Sequence, residues 1–481
     1  MGAEPMTCDF GALTFGERTS ARRNRQGRGV TFAAAVMVAL VASPAAGAVT
    51  PPEVDAAVAP PPGTAGPLRT MTQRSACSVT GTIPGTDPAA VSPNQLSLDL
   101  DDAWRHSRGD GQTVAVIDTG VQPGPRLPNV AAGGDFVGAT DGLTDCDGHG
   151  TMVAGLIAGQ PGDDGFSGVA PGARLLSIRQ TSGKYAPNQP GEDPAIAEAN
   201  NDIATLARAV VRAADLGAQV INISSVACVP ATTTIDQSEL GAALRYAAVE
   251  KDVVIIAAAG NTGGGIAGGT ACAANPLTDP NRPDDPRNWA GVTSVSTPSW
   301  WQPYVLSVGA LGSAGAPAAF SMSGPWVGLA APGENITSIS NGPDGALANG
   351  QPDEKGELTP VSGTSYAAAY VSGVAALVRS RFPELSATQV VRRLTMTARG
   401  ADRSPSSLVG AGTVDPVAAL TWDVPGPGSP PRTTRDVAAP PDPVAPDHTG
   451  RNIAFIGAGL LALIATVTAV TATQRRKDTA A

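Results

Sequence analysis

Through the middle of the chain, short apolar runs alternate with longer stretches whose apolar positions recur at helical spacing. Residues 113–117, 175–179, 219–223, 253–258 and 305–311 predict strands buried on both faces, because they lack the polar alternation of a half-solvated strand. Between them, residues 203–216 (IATLARAVVRAADL) predict a helix stopped at Gly217, and residues 240–249 predict a second. Strand, helix, strand, helix in this order predicts an α/β fold with a mostly parallel sheet.

Two stretches break the pattern. Residues 183–200 and 262–301 are rich in Gly, Pro and Asn, lack periodicity, and read as surface loops around an enzyme core. Before the core, residues 49–66 are Pro- and Ala-rich and predict extended chain, and residues 68–100 form a low-hydrophobicity arm. The core closes near residues 414–420. A Pro-dominated spacer follows over residues 425–447.

Both ends carry apolar runs of another kind. Residues 30–42 (VTFAAAVMVALVA) follow Arg18, Arg22, Arg23, Arg25 and Arg28 and precede Ala46-Gly47-Ala48, which reads as a secretory signal with its cleavage site. Residues 453–473 contain no charge and are long enough to cross a bilayer core of about 30 Å. Gln474-Arg475-Arg476-Lys477 follows, and clustered positive charge favours a cytoplasmic C-terminus, with the bulk of the chain outside. The expected segments are a signal peptide (1–48), an N-terminal extension (49–100), a catalytic domain (101–423), a linker (424–452), a transmembrane helix (453–473) and a cytoplasmic tail (474–481).

A net charge of -10 argues against nucleic acid as a partner, since no basic stripe is present to neutralise phosphates. Cys8 precedes the cleavage site, which leaves Cys77, Cys146, Cys228 and Cys272 in an exported chain. Four cysteines in an oxidising compartment suggest two disulfides, with three pairings open. There is no HExxH and none of the CxxC spacing of a zinc site, so neither metal nor cofactor is expected. Asp145 and Asp147 read as a solvated turn.

Three segments place reactive side chains where such a sheet would present them. In VAVIDTGV, Asp118 ends an apolar strand at the carboxyl edge, where sites in open α/β folds gather. In DCDGHGTMVAGLIAG, His149 opens a helix; His106 sits in a charged stretch and His448 in the linker. In SGTSYAAAYVSGVAALV, Ser365 stands at a helix entry, either as an N-cap or as a nucleophile beside backbone N–H groups that favour an oxyanion. Serine needs an adjacent base, and that base needs a buried acid to orient it. The order Asp118, His149, Ser365 is the subtilisin order of these roles. In VIIAAAGN, Asn261 ends a strand with an amide suited to donate to the oxyanion.

VAVIDTG, DGHGT, AAAGN and SGTSYAA resemble the motifs of the subtilase family over residues 101–420. The signal, cysteine-bearing arm, Pro-rich spacer and C-terminal helix further resemble the mycosins, the membrane-bound subtilases of type VII secretion systems. The resemblance implies a subtilisin-like three-layer α/β fold with a mostly parallel central sheet, plus a single C-terminal transmembrane helix. It implies Asp118 as orienting acid, His149 as general base and acid, Ser365 as nucleophile and Asn261 as oxyanion donor. Asn222, Ile223, Ser224 and Ser225 would form the strand against which a substrate peptide pairs. It also implies an arm wrapped on the catalytic domain and the pairs Cys77 with Cys146 and Cys228 with Cys272. Two positions depart from the family pattern, with Ala369 where Pro is usual and Val226 where Gly is usual.

The function expected is hydrolysis of exported proteins or peptides by a membrane-anchored serine endopeptidase attached to a type VII secretion membrane complex. The competing expectation is a structural component of such a complex in which proteolysis is restricted or dispensable.

Overall fold

The apolar runs form strands because each fills both faces of one sheet with β-branched and small side chains. A computed structural model of the protein describes residues 49–189, 193–263, 272–277, 279, 281–400, 406–426 and 449–478. The expected signal sequence, residues 427–448 of the expected linker, and residues 479–481 lie outside the described residues.

In chain order the strands up to Pro332 are β1 (Met71–Gln73), β2 (Thr113–Asp118), β3 (Val130–Asp135), β4 (Arg174–Arg179), β5 (Tyr185–Pro187), β6 (Val220–Ile223), β7 (Ala227–Pro230), β8 (Val254–Ala258), β9 (Ser294–Thr297), β10 (Val305–Leu311) and β11 (Val327–Pro332), and short strands Ser338–Ile339, Leu347–Ala348, Gly350–Pro352 and Leu358–Pro360 follow. Seven of them make one sheet in the order β11-β10-β8-β6-β2-β4-β3, with every pairing parallel.

Alternate residues of each strand serve opposite layers. Val114 and Val116 of β2 pack with Met152, Leu156 and Val374, from helices His149–Ala158 and Thr364–Arg381. Ala115 and Ile117 pack on the other side with Leu206, Val210 and Leu244, from helices Pro194–Asp215 and Ser238–Arg245. The result is the three-layer subtilisin-like arrangement.

Several local expectations need correction. Residues 194–200, read as loop, belong to helix Pro194–Asp215, because Asp193 caps it by accepting from Ile196 N–H and Pro194 is preset for a first turn. Residues 262–301 contain β9, which pairs antiparallel with β7. The second predicted helix ends as a π-turn over Tyr246–Glu250. Strands β3 and β11 carried little signal, since β3 includes Gly133 and Gly134 and β11 closes on Pro332 at the sheet's edges.

The arm packs onto this core. Residues 49–66 hold neither helix nor strand, β1 pairs antiparallel with β5, and Gly81 bridges Gly350. Leu98, Leu100 and Ala103 are buried in the same core as β2, so packing begins before the expected boundary at Asp101.

The C-terminal unit contains a continuous helix, Thr449–Asp478, longer at both ends than the apolar run. It is long and apolar enough to cross a membrane. Thr466, Thr468, Thr471 and Thr473 each donate their hydroxyl to the carbonyl four residues earlier, which satisfies these polar groups within the helix.

Candidate active site

Asp118 is the last residue of β2 and is fully buried at the carboxyl edge of the sheet. The following turn depends on Gly120 at φ +99, and its carbonyl leaves no room for a side chain at Gly150 in the neighbouring helix. That helix begins at His149. His149 Nδ1 lies 2.7 Å from Asp118 Oδ1, and Nε2 lies 3.0 Å from Ser365 Oγ. A carboxylate facing Nδ1 holds the proton there, so Nε2 accepts from the serine hydroxyl.

Ser365 is the second residue of helix Thr364–Arg381. The cap position is Gly363, and no side chain caps that helix. The N-cap reading of Ser365 therefore falls, and its hydroxyl is turned to the imidazole.

Asp145 and Asp147 are not a solvated turn. Both are buried, because their carboxylates organise the loop before His149. Asp145 accepts from the Thr119 and Thr151 hydroxyls at 2.9 and 2.6 Å and from the Gly148 and Thr151 N–H groups at 2.8 Å each. Burial and the nearby Asp118 charge still push its carboxyl up to about 6. Asp147 accepts from the Ser182 hydroxyl at 2.5 Å and from Gly183 N–H at 2.9 Å, and burial raises its pKa. For His149, burial opposes the charged form, but Asp118, Asp145 and Asp147 outweigh it and raise the pKa above the ordinary imidazole value.

Asn261 follows β8. Its Oδ1 accepts from Thr364 N–H and from the Thr364 hydroxyl, both at 3.0 Å, which fixes the amide flip. Nδ2 makes no hydrogen bond among the described residues. A Cβ built on Gly363 would lie 3.6 Å from Nδ2 and 3.2 Å from Ser365 Oγ, so these atoms border one small space.

The expected substrate strand divides. Asn222 and Ile223 are hydrogen-bonded between β2 and β8 and cannot offer a free edge. The Asn222 side chain turns inward, donating to Ser224 Oγ at 2.8 Å and accepting from Ser372 Oγ at 2.9 Å. Ser224 and Ser225 lie beyond the ladder, Ser224 buried and Ser225 half-buried like Val226 after it. Ala369 is fully buried inside its helix.

Disulfides join Cys77 to Cys146 and Cys228 to Cys272. The first ties the arm three residues before His149 in sequence. Asn341 reinforces it, accepting from Thr80 N–H at 3.0 Å and donating to the carbonyls of Ser78 and Asp145, both at 2.9 Å. Sequence reasoning missed Thr119, Thr151, Thr364 and Asn341. The three threonines lie inside the motifs that were singled out (VAVIDTG, DGHGT and SGTSYAA), whereas Asn341 carried no signal.

The subtilase family model matches residues 109–412. The chain is 63% identical to Mycosin-3 of Mycobacterium tuberculosis over 452 residues, which covers 93% of this chain and 98% of that protein. The chain belongs to the mycosins of the subtilase family. A solved mycosin, the MycP3 protease from the type VII (ESX-3) secretion system, matches with a TM-score of 0.76 and 71% identity, covering 78% of this chain and all (100%) of that one. A chain in the structure of an intact ESX-5 inner membrane complex matches with a TM-score of 0.76 and 46% identity, covering 88% of this chain and 100% of its own length. As a mycosin, the protein is a protease of the serine type.

Proposed function

We propose that this mycosin is a membrane-anchored, extracytoplasmic serine endopeptidase that cleaves peptide bonds through an acyl-enzyme. The observation that carries this reading is the unbroken hydrogen-bonded series from Asp118 through His149 to Ser365. His149 takes the hydroxyl proton as Ser365 Oγ attacks the scissile carbonyl, and buried Asp118 stabilises the resulting imidazolium. The oxyanion is held by Asn261 Nδ2 and the Ser365 N–H at the start of its helix. His149 then returns the proton to the leaving amine, and water hydrolyses the acyl-enzyme by the same route in reverse. No cofactor enters these steps.

For its location, the reading assigns residues 1–48 to a removed signal, 49–100 to a retained extension, 101–423 to the peptidase and 424–452 to a spacer. Residues 453–473 span the membrane and 474–481 face the cytoplasm. The uncharged run 453–473, followed by Arg475, Arg476 and Lys477, supports that orientation.

A second reading, a scaffold within a type VII secretion membrane complex, is favoured by the relative found inside the ESX-5 inner membrane complex. Secretion measured in cells lacking the protein, complemented with wild type or with Ser365→Ala, separates the two. Restored secretion with the variant supports the scaffold role, and no restoration supports obligatory proteolysis.

A further inference from the structure

Beside the triad lies a cavity of 380 Å³ that the mechanism above does not use. Arg69, Met71 and Arg74 of the arm form one wall, and Glu198 and Asp202 from helix Pro194–Asp215 form another. Its floor, Gln180 and Thr181, continues the strand next to the catalytic acid, since both residues donate their N–H to the Asp118 carbonyl, at 2.8 and 3.4 Å. Gln180, Thr181 and Asp202 also line a narrow recess whose far wall is Ser225 and Val226. The two spaces therefore meet at Asp202, one bordered by Ser225 and Val226 and the other by the arm.

The cavity lining holds two arginines, Arg69 and Arg74, and two carboxylates, Glu198 and Asp202. Neither Glu198 nor Asp202 makes an ion pair among the described residues. Arg69 is turned away to donate to the Gln189 carbonyl. Burial raises both carboxyls, and Asp202, further opposed by the Glu198 charge, is pushed up to about 7. Glu198 is exposed, whereas Asp202 is half-buried, and a carboxylate held partly out of water without an ion-pair partner gains from a ligand that brings a cation. Met71, Pro187 and Pro194 supply an apolar lining of the kind that suits a methylene stem ending in a charge.

We infer that this arm-walled cavity is a specificity subsite for a long cationic side chain, lysine or arginine, on the acyl side of the scissile bond, with Asp202 as the selecting residue. The inference rests on the protease reading. The acyl-enzyme would keep that part of the peptide along Ser224 and Ser225, with alternate side chains directed toward Asp202.

The test uses peptidyl diphenyl phosphonates, which react with the nucleophilic serine, carrying lysine or norleucine at each of the four positions before the phosphonate. They are reacted with the detergent-solubilised full chain, and the lysine-to-norleucine rate ratio is read within each variant. A ratio on the order of fivefold to tenfold at one position is expected at pH 8, the range of a partly desolvated charge pair. In wild type the ratio falls toward unity below pH 6, because Asp202 takes up its proton. The other charged groups facing the cavity are Arg69, Arg74 and Glu198, of which Glu198 titrates in the same sense as Asp202. In Asp202→Asn the ratio is close to unity.

Ser365 labelled by norleucine probes with no lysine preference at any position overturns the subsite alone, as does a preference that survives Asp202→Asn. If that variant does not fold, a pH-independent ratio in wild type overturns the inference. No labelling of Ser365 by any probe overturns the protease reading along with it.

Discussion

The carbonyl oxygen of Gly120 occupies the position a side chain on Gly150 would need, since a Cβ built there would lie 2.0 Å away. The turn after Asp118 and the helix that begins at His149 are thus in backbone contact, and the acid and the base share one rigid joint. Gly150→Ala must push the two apart. We expect a stability loss of about 1–3 kcal/mol in urea unfolding, and a fall in kcat larger than any change in KM.

The amide of Asn261 is aimed by Thr364, which donates twice to its oxygen. Asn261→Ala removes one oxyanion donor and leaves Ser365 and His149 in place. Turnover of a peptide substrate should drop by about 100- to 1,000-fold with KM little changed. Thr364→Val should give a smaller loss, because it frees the amide to rotate without deleting it. Equal losses in kcat and KM for Asn261→Ala would argue against the oxyanion role.

The acid limb of the pH profile should report His149. Only the neutral imidazole can accept the Ser365 proton, so kcat/KM rises with pH through the His149 pKa. That pKa is raised by Asp118, Asp145 and Asp147 against the effect of burial, so the midpoint should lie above the ordinary imidazole value. Asp145→Asn removes one of the three charges and should move the midpoint to lower pH. The same variant sets an amide against the Thr151 N–H and should cost about 1–3 kcal/mol of stability. An unmoved midpoint in a folded variant would exclude Asp145 from tuning the base.

How much of this was legible in sequence depends on what each residue answers to. Asp118, His149 and Ser365 were legible because their segments are local motifs, a strand end, a helix start and a helix entry, and the parallel sheet brings such edges together. Strands β3 and β11 were not, since glycine and proline at a sheet edge imitate loop. The wrapped arm and its Cys77–Cys146 bond were expected from the family resemblance, but the hold of Asn341 on the arm was not legible. Asn341 reaches Ser78, Thr80 and Asp145 across long sequence separations, and a lone asparagine gives no sign of such contacts. That Asn222 and Ile223 are paired inside the central sheet was not legible either, because sequence does not tell where the β6 ladder ends.

The arm should matter to stability through Cys77–Cys146. That bond closes a loop with a sequence separation of 69. By loop-closure entropy, Cys77→Ser with Cys146→Ser should cost about 4 kcal/mol in denaturant unfolding. A loss under about 1 kcal/mol would mean the arm's hydrogen bonds hold it without the disulfide.

The most direct measurement is labelling of the purified chain with a serine-reactive fluorophosphonate, wild type beside Ser365→Ala and His149→Ala, with folding checked by circular dichroism. The account predicts strong labelling of wild type, mapped to Ser365, none in Ser365→Ala, and a rate reduced by at least about 1,000-fold in His149→Ala. A folded wild type that does not label, or a Ser365→Ala protein that still does, would contradict it.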